Sequence, residues 1–155
     1  MVQGYHKLIE WANDGGISPI DLECFNPASV DLRLGDRWIN IPTSEECEAE
    51  TITMFPGLSV LATTIEYVKI PLNYSGLLFL KSSSARLGLD HALAGWIDPG
   101  FEGQLTLEIH AHRVVSLTHK QRVIQLVLMR TEGAIPYKGR YLHQTGPTPF
   151  RVDID

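Results

Sequence analysis

Hydrophobic and polar residues alternate along much of the chain with the period of two that is typical of β-strands. Residues 30–34 and 105–109 alternate strictly, and residues 58–70 are rich in valine, isoleucine, threonine and tyrosine. Residues 76–80 form a short apolar run, and residues 123–129 are almost wholly apolar, as in a buried strand. Glycine and proline separate these segments at regular intervals. The pattern therefore predicts many short strands joined by turns.

The N-terminal segment instead has the spacing of an amphipathic helix. The i, i+3, i+4 and i+7 positions of one face are occupied by Tyr5, Leu8, Ile9 and Ala12. An Asp-Gly-Gly sequence at 14–16 ends this pattern, so we predict a helix over about residues 3–13. One short helix with many short strands indicates a mainly β fold, either a β-sandwich, a jelly roll or a closed barrel.

The composition is that of an ordinary globular chain, because 44% of the 155 residues are hydrophobic and 20% are charged. We expect a single domain over residues 1–155 and an arm over about 136–155, where apolar residues are scarce after Leu142. The formal net charge of −5 argues against a nucleic-acid partner, because non-specific binding requires a basic field. A local cluster of cations can still bind a small anionic ligand.

The sequence predicts neither a membrane anchor nor a cysteine framework. No segment approaches the ~20 consecutive apolar residues of a membrane span, and charged residues interrupt the N-terminal segment where a signal peptide would be apolar. Cys24 and Cys47 do not form a CxxC pair, so we expect reduced, mostly buried thiols rather than disulfides or a zinc site. These features favour a cytoplasmic protein without a membrane partner.

Three hydroxyls and two cations lie together directly after one of the apolar strands: Lys81, Ser82, Ser83, Ser84 and Arg86. Hydroxyl, ammonium and guanidinium groups are donors that bind phosphate oxygens. The same composition also suits a polar turn capped by serines, and spacing alone does not separate a phosphate site from such a turn.

Two carboxylates are candidates for acid–base or binding chemistry. Asp98 begins an Asp-Pro-Gly turn, where it either forms an Asx turn or binds a sugar hydroxyl or a water. Glu108 lies within the predicted strand 105–109, on the face that also carries Thr106 and His110. It is either a solvent-facing residue or a pocket acid whose pKa is raised by burial.

The sequence lacks the motifs of several enzyme classes. It has no HxE…CxxC pattern, which excludes the zinc deaminase mechanism, and no GxGxxG, GxxxxGK[ST] or GxSxG motif. His110 and His112 lie two residues apart on one strand face and have the spacing to share a metal, although surface histidine pairs are commoner than metal ligands. We therefore predict no metal site built by the protein alone.

Several sequence blocks, taken in order, resemble the dCTP deaminase branch of the trimeric dUTPase superfamily. The resemblance is carried by residues 26–36 (NPASVDLRLGD), 82–89 (SSSARLGL), 94–101 (AGWIDPGF), 106–108 (TLE), 122–126 (RVIQL) and 139–147 (GRYLHQTGP). Each block is weak alone, but their order and spacing are specific to this family.

The resemblance implies a dUTPase-like β-barrel or jelly roll that assembles as a homotrimer with active sites shared between subunits. It also implies metal-free hydrolytic deamination of dCTP to dUTP and ammonia, with Mg²⁺ held by the triphosphate and no zinc. Residues 94–101 further resemble the bifunctional enzymes, which hydrolyse dUTP to dUMP and pyrophosphate and so supply dUMP for thymidylate synthesis. The sequence leaves open whether one step or two occur and whether dTTP inhibits.

The resemblance implies a role in catalysis for four residues. Glu108 matches the general acid and base that activates the attacking water. Ser82 and the backbone carbonyl of Ala94 match the groups that hold this water, and Arg86 matches an arginine that contacts the reacting centre, often across a subunit boundary. Asp98 matches the position that binds the deoxyribose 3′-hydroxyl. The positions that bind the phosphates or belong to the lid are matched by Lys81, Ser83, Gln125, Arg140, Tyr141 and Gln144.

Three departures from the family pattern leave the base preference open. Ser84 stands where leucine is usual, Leu93 replaces a threonine, and the hairpin 89–93 is one residue shorter than in typical dCTP deaminases. A bifunctional deaminase is slightly favoured. The alternatives are a dUTPase, in which Asp98 orients a water onto the α-phosphate, and a non-catalytic nucleotide-binding regulator. Glu108 favours the deaminase, because dUTPases carry an apolar residue there.

Overall fold

The computed structural model describes residues 1–92 and 94–152, so that Leu93 lies outside the described residues. The helical elements are α1 (Tyr5–Trp11), a π-helical turn (Ala12–Gly16), a 3₁₀ turn (Leu22–Cys24) and α2 (Ser82–Arg86). The strands are β1 (Ile17–Ser18), β2 (Val30–Asn40), β3 (Glu46–Glu48), β4 (Thr51–Met54), β5 (Ser59–Lys69), β6 (Tyr74–Leu80), β7 (Leu89–His91), β8 (Trp96–Ile97), β9 (Glu102–Ala111), β10 (Val115–Thr118) and β11 (Arg122–Arg130).

Most of the described strands belong to one curled antiparallel sheet with the central order β7-β9-β5-β2-β11-β6-β8. Strand β1 pairs with β5, and β3 pairs with β2. Strands β4 and β10 form a separate antiparallel pair. This mainly β architecture with a short N-terminal helix confirms the predicted fold class.

Strand β9 follows the predicted alternation along its whole length. Leu105, Leu107 and Ile109 are buried in the core, whereas Glu108 lies on the opposite, partly exposed face. The antiparallel pairing with β5 fixes this register and places Leu61 directly opposite Glu108. A one-residue slip would exchange the two faces, so burial of the apolar face determines where the carboxylate points.

Strand β2 is longer than the sequence pattern predicts. We expected it to end at Gly35, but it continues to Asn40. The register with β5 shifts between Leu34 and Trp38, and Gly35 lies so close to β5 that an added Cβ would come within 2.6 Å of Cγ2 of Thr63. Glycine therefore marks an irregularity inside this strand, rather than a turn that ends it.

Two local expectations need correction. Residues 82–86 form the short helix α2 instead of a polar turn, because the amide of Ala85 donates to the carbonyl of Lys81 (3.0 Å) and continues a helical ladder. The thiols are not both buried. Cys24 lies in the core, but Cys47 is exposed, because every residue of the short strand β3 faces solvent.

The C-terminal segment, for which the sequence predicts a lid or arm, packs back onto the sheet. Gln144 forms a short parallel bridge with Gly103, and its amide nitrogen Nε2 donates to the carbonyl of Gln104 (2.8 Å). Gln144 is accordingly buried, and Tyr137 and Tyr141 pack against the core. The longest α-helix in the described part of the chain has seven residues, too few to cross a membrane.

One fully buried carboxylate is stabilised by an arginine on the neighbouring strand. Glu66 on β5 accepts hydrogen bonds from the backbone amide (2.9 Å) and the Nε (2.6 Å) of Arg33 on β2. Arg33 also pairs with Asp21 at 2.9 Å, which ties the segment before β2 to the sheet. Because Glu66 is 2% exposed, an unpaired charge at this position would have no solvent to compensate it.

The variant Arg33→Ala is therefore expected to lower the free energy of unfolding by about 3 kcal/mol. A loss of this size corresponds to a fall in melting temperature of roughly 6–12 °C. The matched control is Lys7→Ala, which removes an exposed ion pair with Glu10 and should leave the melting temperature close to that of wild type. Equal melting temperatures for the two variants would contradict the stabilising role of the buried pair.

Candidate active site

A cavity of about 780 Å³ opens between β9, the turn that follows β8, and the C-terminal segment. Its wall is mostly apolar, with a few polar side chains that point to one region, as in many ligand sites. Five of the residues singled out from the sequence line it: Ala94, Asp98, Glu108, Tyr141 and Gln144. The cavity therefore brings the two candidate carboxylates to one site.

Glu108 is held in this wall by β9, with one third of its side-chain surface exposed. Its oxygen Oε2 is buried and has no hydrogen-bond partner among the described residues. Burial raises the pKa of Glu108 above the ordinary value of a glutamate, because desolvation disfavours the carboxylate. A raised pKa makes a carboxyl group a better proton acceptor, and a general acid–base group must both accept and return a proton.

His91 is a further polar residue of this site, which the sequence analysis did not single out. Its Nε2 lies 3.7 Å from Oε2 of Glu108 and likewise lacks a hydrogen-bond partner among the described residues. Its side chain is 6% exposed, and burial lowers the pKa of His91, an effect that nearby Asp90 opposes. His91 could have been recognised as a candidate because it is a histidine on the inward face of β7, a short strand that pairs with β9.

Asp98 is oriented by its own turn and by a tryptophan. The indole Nε1 of Trp96 donates to Oδ1 of Asp98 at 2.8 Å, and the backbone amide of Phe101 donates to its carbonyl at 3.2 Å. Gly100 has a φ of +80°, a conformation that other residues rarely adopt, which explains the glycine of the Asp-Pro-Gly turn. Gly95 is needed for close approach, because an added Cβ would come within 2.7 Å of the carbonyl oxygen of Leu78.

The predicted phosphate-binding residues of the C-terminal segment differ in their surroundings. Tyr141 lines the cavity, whereas the hydrogen bond of Gln144 to the backbone of β9 engages its amide group. Arg140 is exposed and lies over the ring of Phe150, with the guanidinium carbon 5.6 Å from the ring centre. Arg140 also donates to the carbonyl oxygen of Arg151.

A second polar cluster contains two of the predicted substrate-binding residues. Lys81 forms an ion pair with the buried Asp31, whose Oδ1 also accepts from the Nδ2 of Asn26 at 2.8 Å. Gln125 on β11 accepts a hydrogen bond from the hydroxyl of Ser29 at 3.3 Å. This cluster is built where β2, β6 and β11 lie side by side.

Helix α2 lies next to this second cluster, outside the cavity that contains Glu108. Ser82, Ser83 and Arg86 are exposed, while Ser84, the residue that replaces the usual leucine, is buried. Of the described residues that line the cavity, none belongs to α2. Within one chain, the predicted site residues therefore fall into two groups, one at the cavity and one on the surface around α2.

The two histidines of strand β9 and the residues after it pack against each other. The rings of His110 and His112 lie edge to face with centres 4.9 Å apart, and Nδ1 of His110 is 2.8 Å from the hydroxyl of Ser59. Within residues 1–92 and 94–152, no group of three or more histidine, cysteine, aspartate or glutamate side chains is arranged to hold a metal ion.

Comparison with known proteins identifies the family to which this chain belongs. A family model described as dCTP deaminase-like matches residues 39–131, which include β5 to β11 and Glu108. This chain belongs to the dCTP deaminase-like family. Its curated relatives include proteins named "dCTP deaminase, dUMP-forming" from Sulfurihydrogenibium sp., 36% identical over 90% of this chain and 89% of the relative, and from Methanobrevibacter smithii, 36% identical over 90% and 88%.

Solved structures of dCTP deaminase and dUTPase share the fold of this family member. A 2′-deoxycytidine 5′-triphosphate deaminase from Agrobacterium tumefaciens superposes with a TM-score of 0.73 and 19% identity, over 84% of this chain. This chain spans about half of that longer protein (48%). A dUTPase from EIAV gives a TM-score of 0.55 with 20% identity, over 90% of this chain and 96% of that one.

The raised pKa of Glu108 predicts a pH-dependent effect on stability. A carboxyl whose folded pKa is raised contributes stability at low pH that is lost as pH rises through the folded pKa. Glu108→Gln should therefore raise the melting temperature at pH 8 and change it little near pH 4. The control Glu48→Gln, on an exposed strand, should have no effect at either pH. A melting temperature for Glu108→Gln that equals wild type at pH 8 would contradict the burial penalty.

Proposed function

We propose that this protein deaminates dCTP to dUTP and ammonia and then hydrolyses dUTP to dUMP and pyrophosphate. The observation that carries this proposal is Glu108, a desolvated carboxylate in the wall of a cavity large enough for a nucleotide. The names of relatives that match nearly the whole chain support the pair of reactions. We also propose that residues 1–155 form one domain of this family.

In the proposed first reaction, Glu108 acts as the general base and then as the general acid. Its carboxylate takes one proton from the water that adds to C4 of the cytosine and passes this proton to N3. It then takes the remaining hydroxyl proton and passes it to the amino group, so that the C4–N bond breaks and a C4 carbonyl forms. One water is consumed and one ammonia leaves. Ser82 and the backbone carbonyl of Ala94 are proposed to hold the water, and Arg86 to contact the reacting centre.

In the proposed second reaction, Asp98 acts at the sugar and phosphate end of the same nucleotide. Its carboxylate binds the deoxyribose 3′-hydroxyl and orients a water that attacks the α-phosphate, so that pyrophosphate leaves. The hydrogen bond from Trp96 supports this role, because it fixes the carboxylate before the substrate arrives.

We propose that the active unit is a homotrimer in which α2 of one subunit completes the cavity of the next. The proposal is supported by the separation of the two groups of site residues within one chain and by the exposure of Arg86. Exposed serines and cations around α2 suit a partner that carries phosphate. The phosphates are proposed to be bound by Lys81, Ser83, Gln125, Arg140, Tyr141 and Gln144.

Magnesium is proposed as part of the substrate, held by the triphosphate oxygens. This fits the residues, because the described part of the chain offers no group of three metal-ligating side chains, and Mg²⁺ commonly binds through substrate phosphates and waters. When bound, the ion neutralises phosphate charge. The nucleotide dTTP shares the sugar and triphosphate of dUTP, so we propose that it competes for the same site. We further propose a cytoplasmic location, where these nucleotides are available.

The alternative is a dUTPase without deaminase activity. The similarity of the fold to a dUTPase of nearly equal extent favours it, and Asp98 alone would then carry the chemistry. The two functions differ in their requirement for Glu108, since a dUTPase has no need of a proton shuttle at the base.

The decisive assay incubates the protein with dCTP and Mg²⁺ and separates all nucleotides by chromatography. Wild type should form dUMP, and Glu108→Gln should lose deamination by roughly 10²-fold or more while it still hydrolyses added dUTP. Asp98→Asn should impair both reactions, because it disturbs the sugar that both reactions depend on. If wild type leaves dCTP unchanged but hydrolyses dUTP, the dUTPase alternative is correct.

Complementation between inactive subunits tests the shared site. Homotrimers of Glu108→Gln and of Arg86→Ala should each be inactive in the deamination of dCTP. Co-expression in equal amounts should restore about one quarter of wild-type activity per site, because a random trimer then contains interfaces with both residues intact. Light scattering on the same samples should give three times the mass of one chain. Failure of the mixed trimer to deaminate dCTP would show that each subunit uses its own Arg86.

A further inference from the structure

We propose that His91 is a positioning residue for Glu108. Its neutral imidazole donates Nε2–H to Oε2 of the ionised carboxylate and leaves Oε1 to act on the substrate. The role of the pair in turnover rests on the proposed deaminase function, whereas the hydrogen bond itself does not.

The backbone holds the two side chains next to each other. Strand β7 pairs with β9, with His91 opposite Ile109. The backbone amide of Ala92 donates to the carbonyl oxygen of Glu108 at 3.0 Å, which anchors the residue after His91 to the residue that carries the carboxylate. The side-chain separation of 3.7 Å is therefore set by a paired sheet edge. The proposed hydrogen bond requires a side-chain rotation that shortens this separation to about 3 Å.

Both polar atoms lack any other described partner. Nε2 of His91 and Oε2 of Glu108 are each buried and unsatisfied within the described residues, and they face each other. Buried polar atoms in proteins are nearly always paired. A nitrogen that can donate and an oxygen that can accept, enclosed together, form the pair that satisfies both.

Burial favours a neutral imidazole, and the nearby carboxylate of Asp90 opposes this effect. On β7, the Oδ1 of Asp90 accepts from the backbone amide of His91, and its Oδ2 lies 3.7 Å from His112, so this carboxylate is shared. Strand β5 presents the apolar Leu61 opposite Glu108. On β9, the neighbouring titratable side chain is that of His110, and α2, which packs against β7, carries the exposed Arg86.

Other titratable side chains around the same cavity are those of Asp98, Tyr137 and Tyr141. Burial lowers the pKa of His91 and raises that of Glu108, because desolvation disfavours the charged form of each group. A neutral imidazole has a single N–H, and with the proton on Nε2 that N–H points to the carboxylate. The donor then stabilises the ionised form of Glu108 and partly offsets the desolvation that raises its pKa.

The first test measures the carboxyl directly and needs no activity. The ¹³C signal of the Glu108 carboxyl, assigned with Glu108→Gln, is titrated in wild type, His91→Leu and His91→Gln. The Leu variant removes the donor, so the pKa of Glu108 should rise by roughly 0.5–1 unit. The Gln variant supplies an amide donor that does not titrate and should remain closer to wild type. The control His112→Gln removes an exposed imidazole that lies 3.7 Å from Asp90, the residue before His91, and should change nothing.

Histidine ¹⁵N spectra of the wild-type protein identify the tautomer and remain informative if a variant fails to fold. We expect a neutral His91 with its proton on Nε2 at pH 7. A proton on Nδ1 alone, or an unchanged pKa of Glu108 in His91→Leu, would overturn the proposal whether or not the protein deaminates dCTP.

The second test follows kcat/KM for dCTP deamination against pH. The acid limb reports the ionisation of Glu108, so its midpoint should move to higher pH in His91→Leu and stay near wild type in His91→Gln. A purely structural role for His91 would lower the rate at every pH without moving the midpoint, and that result would overturn the positioning role. If wild type does not deaminate dCTP, the proposed function is wrong, but the NMR titration still tests the proposed hydrogen bond between His91 and Glu108.

Discussion

The pairing of β9 with β5 and β7 is the constraint on which the rest of the site depends. One face of β9 is buried in the core, so the opposite face must carry its polar residues into the cavity. The same pairing brings His91 beside Glu108, and the C-terminal segment lies along the start of β9 through Gln144. The core thus fixes the orientation of a carboxylate that would otherwise rotate freely in water.

The apolar wall of the cavity is as important for the chemistry as the carboxylate. Desolvation of Glu108 raises its pKa toward the range in which one group can accept and return a proton. Asp98 lies in an exposed turn of the same cavity, where the indole of Trp96 orients it. We propose that these two carboxylates, with their different surroundings, serve two reactions on one nucleotide, Glu108 at the base and Asp98 at the α-phosphate.

Much of the fold could be predicted from the sequence, because strand alternation is a local property. The alternation of residues 105–109 predicted both the strand and the polar face of Glu108, and the helix near residues 3–13 was recognised from its spacing, although α1 covers only Tyr5–Trp11. Local rules failed where tertiary contacts decide. In the sequence, Gly35 indicates the end of a strand, but in the structure it allows β2 to pack closely against β5.

The candidate site was only partly accessible to sequence reasoning. Motif resemblance proposed the carboxylates and the residues around α2, but neither spacing nor composition reveals which residues share one cavity. His91 could not be predicted as a site residue, because its contact with Glu108 depends on the register of β7 against β9, which no local pattern encodes. The division of the predicted residues between the cavity and α2 is likewise a property of the folded chain, and it is what a shared site between subunits requires.

Isotope tracing tests the central claim, two successive hydrolytic reactions on one nucleotide, most directly. The protein is incubated with dCTP and Mg²⁺ in water enriched in oxygen-18, and the nucleotide products are analysed by mass spectrometry with fragmentation. The account predicts dUMP with one label at C4 of the uracil and a second on the phosphate, together with unlabelled pyrophosphate. Formation of labelled dCMP with the cytosine intact, or of dUMP without label at C4, would contradict it.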